Sequence, residues 1–163
     1  MKCSAAAVML GVIAWNLCQL FAIPREPTYD GIPYTRLLYG GPGITVDRDK
    51  AIRAIGTNAI PTLLRMLQTK ERFWNYNSLY RPSMAVNGFE RLGPAGSPAI
   101  PDLVKLTRSE DPVTRLDALI CLVEGVTLDR KQGESVLNQL TNDPDVCVRK
   151  QANLYWSHLD IYF

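Results

Sequence analysis

The stretch "NAIPTLLRML" (Asn58–Leu67) sets Ile60, Leu63, Leu64 and Leu67 at the spacing of one helical face, yet holds a proline at position 61. Forty residues on, "PAIPDLVKL" (Pro98–Leu106) repeats the phrase with Pro101 in the same place. Proline lacks an N–H and holds φ near the helical value. A helix tolerates it in the first turn, where that N–H would have no partner. Pro61 and Pro101 therefore mark helix starts. Thr57 or Asn58, and Ser97, stand three or four residues ahead and are the expected caps.

The following text falls into the same units. Ala118 and Ala152 occupy one slot, 34 residues apart, and Arg115 and Arg149 another at the same separation. Leu103 and Leu106 match Leu137 and Leu140. The prolines stand 40 apart because segment 69–82 is longer than its counterparts, and the last unit has Ser135 in the proline slot. "DRDKAIRAIG" reads as a short helix capped by Asp47 and stopped by Gly56. "TRSEDP" and "TNDPD" read as turns, and Asp160–Phe163 simply end the chain. Two amphipathic helices per unit at a fixed period predict an all-α fold, a short α-solenoid in which units bury their apolar faces only by stacking.

At 163 residues and 47% hydrophobic, the chain has material for one core. Its net charge of +2, with Lys and Arg scattered among acids, lacks the basic stripe of a nucleic-acid binder. Residues 1–22 carry Lys2 and an apolar run before Phe21-Ala22 and Pro24, the pattern of a bacterial-type export signal. Ala5–Ile23 is also just long enough for an uncleaved membrane anchor. The expected location is periplasmic or secreted, or anchored in the inner membrane. Residues 23–46, rich in Pro, Gly and Tyr, read as an extended lead-in with turns at Asp30-Gly31 and Gly40–Gly43 and a short helix at Tyr34–Tyr39. The repeat domain takes 47–163.

"AIRAIGTNAIPTLLRML", "GFERLGPAGSPAIPDLVKL…EDPVTRLDAL" and "LNQLTNDPDVCVRKQA" resemble bacterial HEAT repeats, whose pattern is A-x-x-x-L-G, A-x-P-x-L-x-x-L, a D-P turn and V-R-x-x-A. The resemblance covers about three and a half repeats, with Arg48, Arg115 and Arg149 in the Arg slot and Ala51, Ala118 and Ala152 in the Ala slot. Ala85 and Gly88 stand in those slots in the first full unit. "EPTYDGIPYTRLL" is similar to the opening of exported bacterial proteins that carry such repeats. The resemblance implies a non-catalytic protein–protein interaction scaffold or adaptor, with second helices lining a concave surface. A HEAT-like lyase-related or enzyme-associated domain is the alternative, and a nucleic-acid-binding HEAT array follows behind it.

No catalytic, metal or cofactor-binding residues are assigned. His158 stands alone near the C-terminus, without the third group that a nucleophile–base pair needs. Four cysteines are too few and too scattered for a disulfide framework, and Cys3 and Cys18 leave if the signal is cleaved; one His with the separated Cys121 and Cys147 cannot make a zinc site, and "NDPDV" lacks the calcium-loop pattern. In the repeat frame Cys121 and Cys147 are offset by eight residues, about 12 Å along parallel helices. A disulfide needs Cα atoms within about 7 Å, so two free, mostly buried thiols are expected. The partner-binding candidates are Phe73, Trp74, Tyr76 and Tyr80 in "RFWNYNSLYR", with Arg115 and Arg149. Aromatics and Arg concentrate at interface hot spots, while the competing reading packs Phe73 and Trp74 over the open end of the stack. For the two arginines the competing reading is structural, a pairing with a turn acid such as Asp111 or Asp145.

Overall fold

The computed structural model describes residues 26–69 and 84–163. Among the described residues the fold is all-α apart from one small hairpin. Strands β1 (Thr28–Tyr29) and β2 (Ile32–Pro33) pair antiparallel, Thr28 opposite Pro33 and Tyr29 opposite Ile32. Asp30 and Gly31 both take positive φ (49° and 74°), the two-residue turn that a D-G pair favours. Helix α1 (Tyr34–Tyr39) follows and buries Tyr34, Leu37 and Leu38 in the core. The expected lead-in is thus not merely extended. Its helix shares one core with the rest, because three large apolar side chains fall on one face of two turns.

Helix α2 (Arg48–Ile55) starts on Asp47, whose carboxylate accepts from the Lys50 N–H (3.1 Å), and ends at Gly56 with φ 55°. A 3₁₀ turn, Gly56–Ala59, runs directly into α3 (Ile60–Gln68). Pro61 sits in the first turn of α3, as its missing N–H requires. The same construction recurs with α4 (Met84–Leu92), a 3₁₀ segment Gly93–Ala99, and α5 (Ile100–Leu106) carrying Pro101 in its first turn. Thr57, Asn58 and Ser97 do not cap these helices, contrary to expectation. Ala59 and Ala99 precede them in helical conformation, so 3₁₀ carbonyls take up N–H groups that a side chain would otherwise serve.

Helix α6 (Pro112–Ile120) is capped by Asp111 and closes in a π-helical turn, Cys121–Gly125. Helix α7 (Arg130–Leu140) has a full capping box. The Asp129 carboxylate accepts from the Gln132 N–H (2.8 Å), and the Gln132 side chain accepts from the Asp129 N–H (3.3 Å). Helix α8 (Val146–Ser157) is capped by Asp145, and α9 (Leu159–Tyr162) ends the chain.

The helices pack as consecutive pairs, α1 on α2, α3 on α4, α5 on α6 and α7 on α8. The second members α2, α4, α6 and α8 also touch in succession. The small slots lie where they touch or nearly touch: Ala51, Ala118 and Ala152 are fully buried. Gly88 serves in α4 because a Cβ there would stand 2.3 Å from Leu63 Cδ2. Leu103, Leu137 and Leu140 fill the core, each contributing about 1.5–3 kcal/mol through burial.

The C-terminal residues do more than end the chain. Phe163 lies against Gly133, where a Cβ would approach its ring to 2.5 Å. Tyr162 meets Tyr155 edge-to-face at 4.8 Å, and Asp160 pairs with Arg130 at 2.7 Å. Three of these residues, Asp160, Tyr162 and Phe163, thereby contact α7 and α8.

Candidate interaction surface

Three arginines in one sequence slot do related work. Arg115 Nη1 donates to the carbonyls of Ser109 (2.8 Å) and Glu110 (3.0 Å), six and five residues behind it. Arg149 Nη1 donates to the carbonyls of Asp143 (2.5 Å) and Pro144 (3.3 Å), again six and five behind. Each guanidinium ties down the turn that precedes its own helix. Arg48 sits only one residue past its cap, so it reaches instead to the end of α1. Its Nε and Nη2 donate to the Leu37 and Leu38 carbonyls, both at 2.6 Å. Gly40 permits that crossing: its φ is 73°, and a Cβ would lie 3.0 Å from Arg48 Nη1.

Arg115 carries a second load. Its Nε donates to Asp143 Oδ2 (2.8 Å) and its Nη2 to Asp143 Oδ1 (2.7 Å), a side-on bidentate pair. The side chains are only 11% and 6% exposed. The partner is therefore neither Asp111 nor Asp145, which are occupied as caps. Asp111 Oδ2 accepts from the Thr114 N–H (2.9 Å), and Asp145 Oδ1 from the Cys147 and Val148 N–H groups (2.8 and 3.1 Å). Burial opposes the charge on Asp143. The Arg115 fork, the Asp145 N–H and the nearby Arg149 outweigh it and hold the carboxyl below the usual carboxylate range. The hydrogen bond from Asp143 in turn raises the Arg115 pKa.

Sequence reasoning missed Asp143, although a signal was present. Asp143 and Ser109 occupy the same position, two residues before a capping Asp, and both accept from that residue's N–H (2.8 and 3.3 Å). Ser109 follows a helix pair with Ala85 in the Arg slot, and Asp143 follows one with Arg115. Where the arginine is missing, so is its acid.

His158 is exposed, with Nδ1 2.9 Å from both the Leu154 carbonyl and Ser157 Oγ. Tyr155 donates to Glu124 at 2.5 Å, and burial, then Glu124, pushes its hydroxyl well above its ordinary range. Cys121 and Cys147 are both free. Cys121 is buried, and burial, helped by Asp117 and Glu90, raises its thiol far above its ordinary value, which makes it a poor nucleophile. Cys147 is exposed rather than buried. Val148 takes the core position on α8, and one residue back the helix has turned about 100° away.

Two open clefts lie on the surface. One, of about 580 Å³, is lined by Gln68, Asp102, Lys105, Arg108 and Glu110. The other, of about 300 Å³, is an apolar groove between α5 and α7 formed by Ile100, Val104 and Val136 with Lys131 at its rim. Among the described residues no group of three or more His, Cys, Asp or Glu is placed to hold a metal. No described helix is long and apolar enough to cross a membrane. Phe73, Trp74, Tyr76 and Tyr80 lie outside the described residues, as does segment 1–22. Of the six partner-binding candidates, Arg115 is committed internally and Arg149 is committed on one edge only.

Comparison with protein-family models, with curated proteins and with solved structures returns no match for this chain.

Proposed function

We propose that the chain is a short HEAT-like α-solenoid that acts as a non-catalytic scaffold for contacts with another protein, exported or membrane-anchored through residues 1–22. One observation carries the reading. The capping Asp, the arginine on the carbonyls six and five residues behind it, and the buried alanine three residues further recur 34 residues apart. Such recurrence is what a stack of equivalent units requires, and it spends the buried polar groups on joints within the stack. What is left for a partner is the outer surface of successive second helices and the ends. In-cell cross-linking of the full tagged chain, followed by fractionation, tests this. A discrete protein adduct in the envelope or exported fraction is the expected result. A cytoplasmic chain that co-purifies with nucleic acid would overturn it.

A further inference from the structure

In each of the last two helix pairs the arginine holds its own turn through Nη1. That bond fixes how the guanidinium lies on its helix. In Arg115 the opposite edge, Nε with Nη2, points toward the turn entering α8. It is filled there by Asp143. Arg149 makes the same Nη1 bonds, and its Nε and Nη2 have no hydrogen-bond partner among the described residues.

The neighbouring positions differ in the same sense. Arg115, Leu119 and Leu122 stand at i, i+4 and i+7, and both leucines are fully buried. The equivalents on α8 are Arg149, Asn153 and Trp156. Asn153 is exposed and Trp156 is 40% exposed. Helix α6 has α8 packed against its side. This face of α8 thus combines a guanidinium edge with no described partner, an exposed indole on the same helical stripe, and the exposed Lys150.

We propose that this face docks a partner protein through a carboxylate, taken side-on by Arg149 Nε and Nη2 as Arg115 takes Asp143, with Trp156 as the apolar contact beside it. The inference deepens the scaffold reading and rests on it. Two features select a polypeptide acid over other occupants. The in-chain precedent is an Asp in a turn between helices, and the face is basic. A second copy of the chain would not supply that acid from its first pair, because Thr45 stands two residues before the capping Asp47. Arginine suits the task because its planar fork is already held by the turn carbonyls, so little further ordering is lost on binding.

The test uses the full chain, ¹⁵N-labelled, with the arginine Nε–Hε signals assigned through R115K and R149K. The probe is the hexapeptide Thr-Asn-Asp-Pro-Asp-Val, the acid-bearing turn of this chain, and inorganic phosphate serves as the small-anion comparison. The peptide should shift the Arg149 signal saturably and leave that of Arg115 in place. Replacing the first Asp of the peptide by Asn should weaken binding about tenfold, the loss expected for a charge-assisted contact. In R149K, which keeps the charge but loses the fork, the peptide should no longer move the backbone amides of α8 saturably, while the free variant's amide spectrum stays wild type away from the site. An Arg149 signal already as protected from exchange as that of Arg115 in the free chain would overturn the proposal, because the edge would be filled. So would no shift with peptide, or an equal shift with phosphate. The titration needs no native partner, so failure to find a cross-linked protein would count against the scaffold reading alone.

Discussion

Arg115 and Asp143, 28 residues apart, form a bidentate ion pair that joins the start of α6 to the turn entering α8. Both side chains are nearly out of solvent. Breaking such a pair from one side strands a buried charge, at about 3–5 kcal/mol. R115A or D143A should each lower unfolding stability by that amount in denaturant melts. The double variant should lose far less than the sum. Additive losses would show that the two side chains act independently.

The same pair sets an acid dependence. The folded pKa of Asp143 lies below its ordinary value of about 3.9. Its stabilisation is therefore fully present above that value and is lost as pH falls through the lowered folded value. D143N removes the titration. The stability gap between wild type and D143N should narrow in urea melts taken from pH 6 towards pH 2. A gap that stays constant would remove Asp143 from the acid response.

Tyr34 is fully buried, and its hydroxyl has no hydrogen-bond partner among the described residues. An unsatisfied buried hydroxyl costs stability, so Tyr34→Phe should leave the protein as stable or raise it by about 1 kcal/mol. A loss above that size in thermal melts would mean the hydroxyl has a partner.

Phe163 rests where a Gly133 side chain would go. Gly133→Ala should destabilise by about 1–3 kcal/mol through overpacking, despite the better helix propensity of alanine. In a Phe163→Ala background the same change should be neutral or stabilising. Equal penalties in both backgrounds would exclude the contact as the cause.

The two thiols should differ sharply. Exposed Cys147 should react with maleimide in the folded protein, and buried Cys121 only after unfolding. Mass spectrometry of peptides alkylated before and after denaturation reads this directly. Prompt labelling of Cys121 would contradict its burial.

Much of the helix plan was legible in the sequence. Asp47 opens its helix as the expected cap, Pro61 and Pro101 stand in first turns, and Asp30-Gly31 makes a turn, whereas the caps at Asp111 and Asp129 and the hairpin around that turn emerge only in the structure. The caps expected at Thr57, Asn58 and Ser97 failed because the chain enters those helices through 3₁₀ turns, which no single residue announces. The candidate surface was half legible. Arg115 and Arg149 were picked out as a matched pair, but the acid that distinguishes them was not, since Asp143 looks like any turn residue.

What the sequence determined by itself was local: helical period, capping and turn chemistry, which recur every 34 residues in the last two units. These depend on bonds spanning a few residues, so a short window contains their cause. What only the tertiary structure decided was which distant groups meet. It put Asp143 rather than Asp111 on Arg115, turned Cys147 outward and brought Phe163 onto Gly133. Those outcomes depend on how helices rotate and abut. A rotation of 100°, one residue's worth, changes a buried side chain into an exposed one.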